Sequence, residues 1–239
     1  MNETLYRFIS WGFQDLIWGG DLLGEDRLPD RGPAVFVSNH LGSLGPIAAG
    51  ASLPFFVHPW IHADMLDERL APDYLRRDFV EPTLHILPPF SHWLARGISK
   101  LHVPLLRALG GIPVYHTPEG LSGTFRQTLN LLTQDRFILI FPEHADLPPD
   151  PQTKMRPFQK GFARLGELFY EKTHQVLAFY PLAVHAETRT LRVGNPIRYN
   201  YINNPASERQ RIASMLEQSI HEMVLHASEG EIAQLPLPN

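Results

Sequence analysis

The sequence contains no cysteine and no long hydrophobic run, and each absence excludes a class of protein. Without cysteine, disulfides and cysteine-ligated zinc sites are excluded. No apolar stretch approaches the roughly 18 residues that suggest a membrane-spanning helix. The N-terminus lacks a basic segment followed by an apolar core, so it does not resemble a signal peptide. We therefore expect a cytoplasmic protein that reaches membranes only peripherally.

An excess of basic charge and two well-known motifs are also missing. The net charge is −4 and the pI is near 6.3, so we expect no nucleic-acid partner. The G-x-S-x-G nucleophile motif does not occur, and the glycines after the first apolar strand lack the third glycine of a dinucleotide fingerprint. These absences argue against a serine nucleophile of the nucleophile-elbow type and against a nucleotide cofactor.

Short apolar runs alternate with amphipathic segments along the chain. Strands are predicted at 34–38, 112–115, 137–141, 176–184 and 191–193. Helices are predicted from 46 and at 101–109, 121–133, 160–173 and 207–227, the last beginning with a capping-box pattern. The segment from about 55 to 100 has no clear period. This alternation predicts an α/β fold with a mostly parallel sheet flanked by helices.

The two ends of the chain are predicted to lie outside the α/β domain. Residues 3–18 place six apolar side chains at helical spacing, which predicts an amphipathic helix. This helix could pack on the domain or lie in a membrane surface. The predicted organisation is an N-terminal amphipathic helix in residues 1–28, the α/β domain in 29–230 and a loose tail in 231–239.

His40 is the most informative single residue, because it follows the first predicted strand and precedes a glycine-rich turn. Enzymes of the α/β class place reactive groups at the carboxyl ends of their strands. A neutral imidazole near pH 7 can accept a proton from a reacting hydroxyl. Two interpretations are open: a general base, or a turn histidine without a chemical role.

Four separated segments resemble motifs of the glycerophospholipid acyltransferase family, the 1-acylglycerol-3-phosphate acyltransferases and their relatives. They are NHLGSLGP at 39–46, GGIPVYH at 110–116, FPEHAD at 141–146 and FYPLAV at 179–184. The family motifs are N-H-x-S-x-x-D-P, G-x-I-x-V-D-R, F-P-E-G-T-R and V-P-V-A-I. The resemblance implies acyl transfer from a thioester, either acyl-CoA or acyl-carrier protein, to a lipid or other alcohol. It implies no cofactor and contact with a membrane surface.

The resemblance makes His40 the general base and places its partner carboxylate at position 45, where this chain has glycine. In serine proteases, replacing the equivalent aspartate by an amide lowers the rate about 10⁴-fold. Gly45 also has a structural interpretation, because glycine can cap a helix and Pro46 suits a first helical position. Glu143, retained in the third motif, is our hypothesis for a carboxylate that orients His40. Further candidates are Asp64 and Asp146.

The positions that the family uses to bind the acceptor are altered as well. Arginines of the second and third motifs hold its phosphate in the family, and His116 and Asp146 stand there in this chain. We therefore expect an atypical acceptor or an impaired site. Lys160, like its neighbours Lys154 and Arg156, could supply a cation or be a solvated surface charge. The residues predicted to bind substrate are Asn39, Ser43, His116 and Lys160.

Two other interpretations stay open at the level of sequence. The first is a non-catalytic lipid- or acyl-binding protein built on the same fold, which Gly45 favours. The second is a metal site, because His58 and His62 would share one face of a helix, with Asp64 nearby. Since an acyl chain and a lipid acceptor are both amphiphiles, we expect membrane contact through the N-terminal helix or through the aromatic-rich segment 55–93.

Overall fold

An eight-stranded sheet organises the part of the chain that the computed structural model describes, residues 18–42, 44–115 and 117–227. The strands are β1 (Asp21–Leu23), β2 (Ala34–Ser38), β3 (Val57–His62), β4 (Ile112–Val114), β5 (Phe137–Ile140), β6 (Ala178–His185), β7 (Thr190–Val193) and β8 (Ile197–Arg198). Their order is β1-β7-β6-β2-β5-β3-β4, and β8 pairs with β6. All pairings are parallel except those of β6 with β7 and β8.

Helices connect most of these strands. They are α1 (Leu44–Ser52), α2 (Ala71–Leu75), α3 (Glu81–Leu84), α4 (Phe90–Ala108), α5 (Pro118–Leu132), α6 (Arg164–Thr173) and α7 (Pro205–Ala227). Short 3-10 turns occupy Glu25–Arg27, Ala63–Leu66 and Gly161–Ala163, and a π-helical turn occupies Arg76–Val80. The predicted α/β fold with a mostly parallel sheet flanked by helices is confirmed.

The central position of β2 in the sheet explains why apolar residues follow one another along its sequence. All five of its residues are buried, and successive side chains enter different hydrophobic clusters. Val35 and Val37 pack in the cluster that includes Ile212 of α7, whereas Phe36 packs in the cluster that includes Ala48 of α1. Because side chains alternate across a strand, a sheet that is covered on both faces needs apolar residues at every position.

The segment from 55 to 100, which had no clear sequence period, contains strand β3 and half of helix α4. The prediction of a helix at 101–109 is therefore too short by a full eleven residues at its start, since α4 begins at Phe90. The inner face of α4 combines small buried residues such as Ala95 with the larger, partly buried Leu94 and Ile98, whereas other large apolar residues such as Trp93 point outward. Large apolar residues therefore lie on the outer face as well as on the inner one, and their spacing alone does not mark the buried face.

Two helix starts also differ from their predictions. Helix α1 begins at Leu44 rather than at Pro46, so Gly45 lies within its first turn and not at the cap. Proline is tolerated there because the first N–H groups of a helix need no partner within it. Helix α7 begins at Pro205, and the Asn204 side chain accepts a hydrogen bond from the Ala206 N–H at 3.0 Å. The capping box predicted at 207–210 is therefore wrong.

The N-terminal boundary of the sheet domain lies earlier than predicted. Strand β1 pairs with β7, and the Trp18 side chain is buried in the cluster that contains Phe36. Residues 18–28 thus belong to the sheet domain, which corrects the predicted start at 29. The predicted amphipathic helix, up to residue 17, and the predicted tail lie outside the described residues. Within the described ranges, no helix is long and apolar enough to span a membrane.

Candidate active site

Asn39 fixes the loop that follows β2. Its side chain is fully buried, its Nδ2 donates to the Val184 carbonyl at 2.9 Å, and its Oδ1 accepts from the Val184 N–H at 2.8 Å. Both polar ends of the amide are therefore used to tie the end of β2 to the neighbouring strand β6. This geometry accounts for an asparagine at position 39 by its structural role. The predicted substrate contact of Asn39 stays a prediction.

His40 stands at the carboxyl edge of the sheet, immediately after this anchor. The residue is exposed, and its ring meets the Phe141 ring edge-on, with 5.2 Å between the centroids. Part of the ring is nevertheless shielded from water, which lowers the pKa of His40, and a hydrogen bond with the Gly42 backbone partly opposes this effect. The imidazole is therefore neutral at pH 7, which is the form that a general base requires.

Glu143 lies beside His40 because the two residues follow neighbouring parallel strands. Val37 of β2 is in register with Ile140 of β5, so the residues three positions further on meet at the same level. The Glu143 carboxylate accepts a hydrogen bond from the His40 backbone N–H at 3.0 Å. Within the described residues, no carboxylate forms an ion pair with the His40 ring. Glu143 thus holds the main chain of His40, and its predicted orientation of the ring stays a prediction.

Glu143 interacts with three segments, which are the His40 loop, the segment that contains Arg156 and Phe158, and helix α7. Desolvation raises the pKa of Glu143, and the negative charge of Glu217 acts in the same direction. Hydrogen bonds from the backbones of His40 and Arg156, together with the Arg156 charge, lower it. Glu143 also pairs with Phe158 in an antiparallel bridge, and the Phe158 N–H donates to Glu217 of α7 at 3.1 Å. The carboxylate therefore links the His40 loop to the segment after β5, which α7 supports.

The turn between β2 and α1 is closed around Gly45. The Gly45 N–H donates to the His40 carbonyl at 3.0 Å. A Cβ atom at position 45 would lie 2.3 Å from that carbonyl oxygen and 2.5 Å from the Asn39 carbonyl oxygen. Sequence comparison with the family motif treats Gly45 only as a missing aspartate, whereas the backbone leaves no room for any side chain there. The sequence does contain one sign of a tight turn here, which is Gly42, a second departure from the same motif. In the structure, Gly42 has a left-handed φ of 65°.

The structure says less about the other predicted site residues. Ser43 and His116 lie outside the described residues. Lys160 is exposed, precedes the turn Gly161–Ala163, and forms no ion pair with any residue that the structure describes. Of the alternative carboxylates, Asp64 lies 3.9 Å from the His62 ring, and Asp146 is exposed in the loop after Glu143.

The geometry contradicts the premise of the metal-site interpretation. His58 and His62 lie on strand β3 and not on a helix. Four residues along a strand separate them by roughly 13 Å, too far for one ion. The His58 ring is instead 3.1 Å from the Gly110 carbonyl oxygen. In residues 18–42, 44–115 and 117–227, no group of three histidine, aspartate or glutamate side chains could hold a metal ion.

Comparison with known proteins identifies the fold. No family model matches the sequence, and no curated protein matches it. A similar solved structure is the 1-acyl-sn-glycerophosphate (LPA) acyltransferase PlsC from Thermotoga maritima, with a TM-score of 0.56 and 10% sequence identity. The match covers 97% of this chain and 81% of that chain. The chain therefore has an α/β fold like that of this acyltransferase, and at such low identity the likeness shows the fold alone.

Proposed function

We propose that the protein is an acyltransferase that moves an acyl group from a thioester to the hydroxyl of a lipid or another alcohol at a membrane surface. The observation that carries this proposal is His40, a neutral imidazole at the carboxyl end of the central strand. Ligands of open α/β sheets bind at this edge. The likeness of the fold to that of an acyltransferase supports the same reaction class.

In the proposed reaction, the His40 imidazole removes the proton from the acceptor hydroxyl as its oxygen attacks the thioester carbonyl carbon. The carbon–sulfur bond then breaks, and the leaving thiolate takes the proton from the imidazolium. The acyl donor is acyl-CoA or acyl-carrier protein, and the reaction needs no cofactor. A correctly placed general base accelerates such a step about 10²- to 10⁴-fold.

Glu143 and Asn39 are proposed to position the base. Glu143 holds the His40 backbone N–H, and Asn39 holds the end of β2. Ser43, His116 and Lys160 are proposed to contact the substrates. Since His116 and Asp146 stand where the family motifs have phosphate-binding arginines, we propose an acceptor that differs from a glycerol phosphate.

A second candidate is a non-catalytic lipid- or acyl-binding protein on the same fold. The specific observation in its favour is the His40 ring, which has no carboxylate partner among the described residues. Without such a partner, the imidazolium that forms during proton transfer is less stabilised. This candidate predicts saturable acyl-CoA binding without release of a thiol.

Thiol release separates the two candidates. The purified protein is incubated with acyl-CoA or acyl-carrier protein and a panel of lipid alcohols, with and without phosphate groups. The proposed function predicts acceptor-dependent thiol release and an acylated product, both lost in His40→Ala and retained in the control His174→Gln. His174 is an exposed histidine at the end of α6. Thiol release that is the same in His40→Ala and in the wild type would contradict the proposed mechanism.

A further inference from the structure

Helix α4 presents a row of large apolar side chains to solvent. Phe90, Trp93 and Leu101 are 74%, 79% and 76% exposed. Exposed Gly97 and Pro104 fall in the same row, because the five positions are spaced by three or four residues. Leu87, just before the helix, is 72% exposed. Several large apolar side chains exposed along one face of a helix indicate an interaction site, whereas single exposed apolar residues do not.

The packing of α4 within the domain does not require this row. The opposite face of the helix is buried through Ser91, Ala95, Ser99 and Val103, which recur every four residues. Ala95 belongs to a small cluster with Leu75 and Val80, from the helical segments against which α4 packs. Leu94 and Ile98 of the helix also pack against this cluster. The helix is therefore already held through its inner side, and the large residues on its outer side face no described residue that buries them.

A row of cations runs beside the apolar row. Arg96 and Lys100 are exposed on α4 and form no ion pair with any part of the chain that the structure describes. Further along, Arg107 pairs with Glu68. No aspartate or glutamate occurs in the sequence between Glu81 and Glu119, although the chain as a whole has a net charge of −4. This face is therefore positively charged, whereas the protein as a whole carries a net negative charge.

We propose that the α4 outer face, formed by Phe90, Trp93, Leu101, Arg96 and Lys100, docks on an anionic lipid bilayer. The apolar side chains insert at the level of the headgroups, where tryptophan is favoured, and the two cations contact lipid phosphates. An anionic bilayer satisfies both rows together. The proposal rests on the proposed function only in choosing a lipid surface as the partner.

Vesicle binding of the full chain tests this surface without any acyl donor. Binding is measured by sedimentation with vesicles of phosphatidylcholine plus phosphatidylglycerol, and with phosphatidylcholine alone. The wild type is expected to bind the mixed vesicles more tightly than vesicles of phosphatidylcholine alone. High salt should weaken its binding to the mixed vesicles. Phe90→Ser with Trp93→Ser should weaken binding at least about tenfold. Arg96→Gln with Lys100→Gln should weaken it about tenfold or more, on the mixed vesicles only.

Two variants elsewhere on the surface serve as matched controls. Ile202→Ser removes an apolar side chain that is 80% exposed in the loop before α7, and Arg126→Gln removes an exposed cation of α5. Both should bind like the wild type. Since every substituted position on α4 is exposed, the melting temperatures of the variants should match that of the wild type, which separates lost docking from lost folding.

Three outcomes would overturn the proposal. They are the absence of wild-type vesicle binding, equal binding to neutral and anionic vesicles, and binding that the α4 variants leave unchanged. The last would assign membrane contact to another segment, such as residues 3–18. Failure of the proposed function is distinguishable, because an inactive protein that still binds anionic vesicles through α4 refutes acyl transfer but not docking.

Discussion

Replacement of Gly45 by aspartate would restore the residue that the acyltransferase motif has at this position, and the structure predicts that it will fail. The new Cβ atom would lie 2.3 Å from the His40 carbonyl oxygen and 2.5 Å from that of Asn39. Both neighbours are backbone atoms, and Asn39 is itself held to β6 by two hydrogen bonds. Relief of the clash therefore requires movement of the loop that carries the proposed base.

The size of the effect follows from this contact. The turn must open from 2.3 Å to at least 3.0 Å, because real Cβ atoms essentially never approach more closely. Overpacking of this kind costs about 1–3 kcal/mol of folding free energy. For a chain of this length, that corresponds to a fall of roughly 2–12 °C in Tm. Gly45→Ala carries the same clash, so it should also be destabilised although alanine favours helices.

The matched control is Gly50→Ala in the same helix, where an added Cβ meets nothing within 4 Å. This variant should match the wild type or exceed it by up to about 1 kcal/mol. Stability is measured by denaturant unfolding monitored by circular dichroism, and acyl transfer by thiol release. If Gly45→Asp keeps wild-type stability, or gains activity, the closed turn does not exclude a side chain and the reasoning is refuted.

The remaining predictions concern the residues around this turn. Glu143→Ala leaves the His40 N–H without its acceptor and should cost about 1–3 kcal/mol in denaturant unfolding, whereas Glu143→Gln keeps an acceptor oxygen and should cost less; equal losses would show that the hydrogen bond is unimportant. Asn39→Ala should cost about 2–4 kcal/mol in the same assay because both Val184 backbone groups lose their partner, while exposed Asn130→Ala should stay within about 0.5 kcal/mol. Because the pKa of His40 is lowered, kcat/KM should rise with pH through a midpoint below 6.5 and then level off; a midpoint above 6.5 would contradict the desolvated base.

The strands near the site were the most predictable part of the fold. The predicted strand at 34–38 matches β2, because a strand buried on both faces has an unbroken apolar sequence between polar loops. The same holds for β5, predicted at 137–141 and observed at Phe137–Ile140. The first half of helix α4 was missed, because large apolar residues lie on its outer face as well as on its inner one, so their spacing does not mark a buried face.

The adjacency of His40 and Glu143 was also predictable, since both follow neighbouring strands of one parallel sheet. The group that the Glu143 carboxylate contacts was not predictable. The choice between the His40 ring and the His40 main-chain N–H depends on loop geometry that sequence spacing does not encode. The meaning of Gly45 was equally hidden. A motif shows which side chain is absent, whereas only the backbone shows that its space is absent too.

The turnover of His40→Ala tests the central claim most directly. It is measured as thiol release from a saturating acyl thioester near pH 7.5, beside the wild type and a check of folding by circular dichroism. His40 is exposed, so the variant should fold, and removal of a general base should lower turnover at least about 100-fold. Turnover equal to that of the wild type would contradict the assignment of His40 as the base.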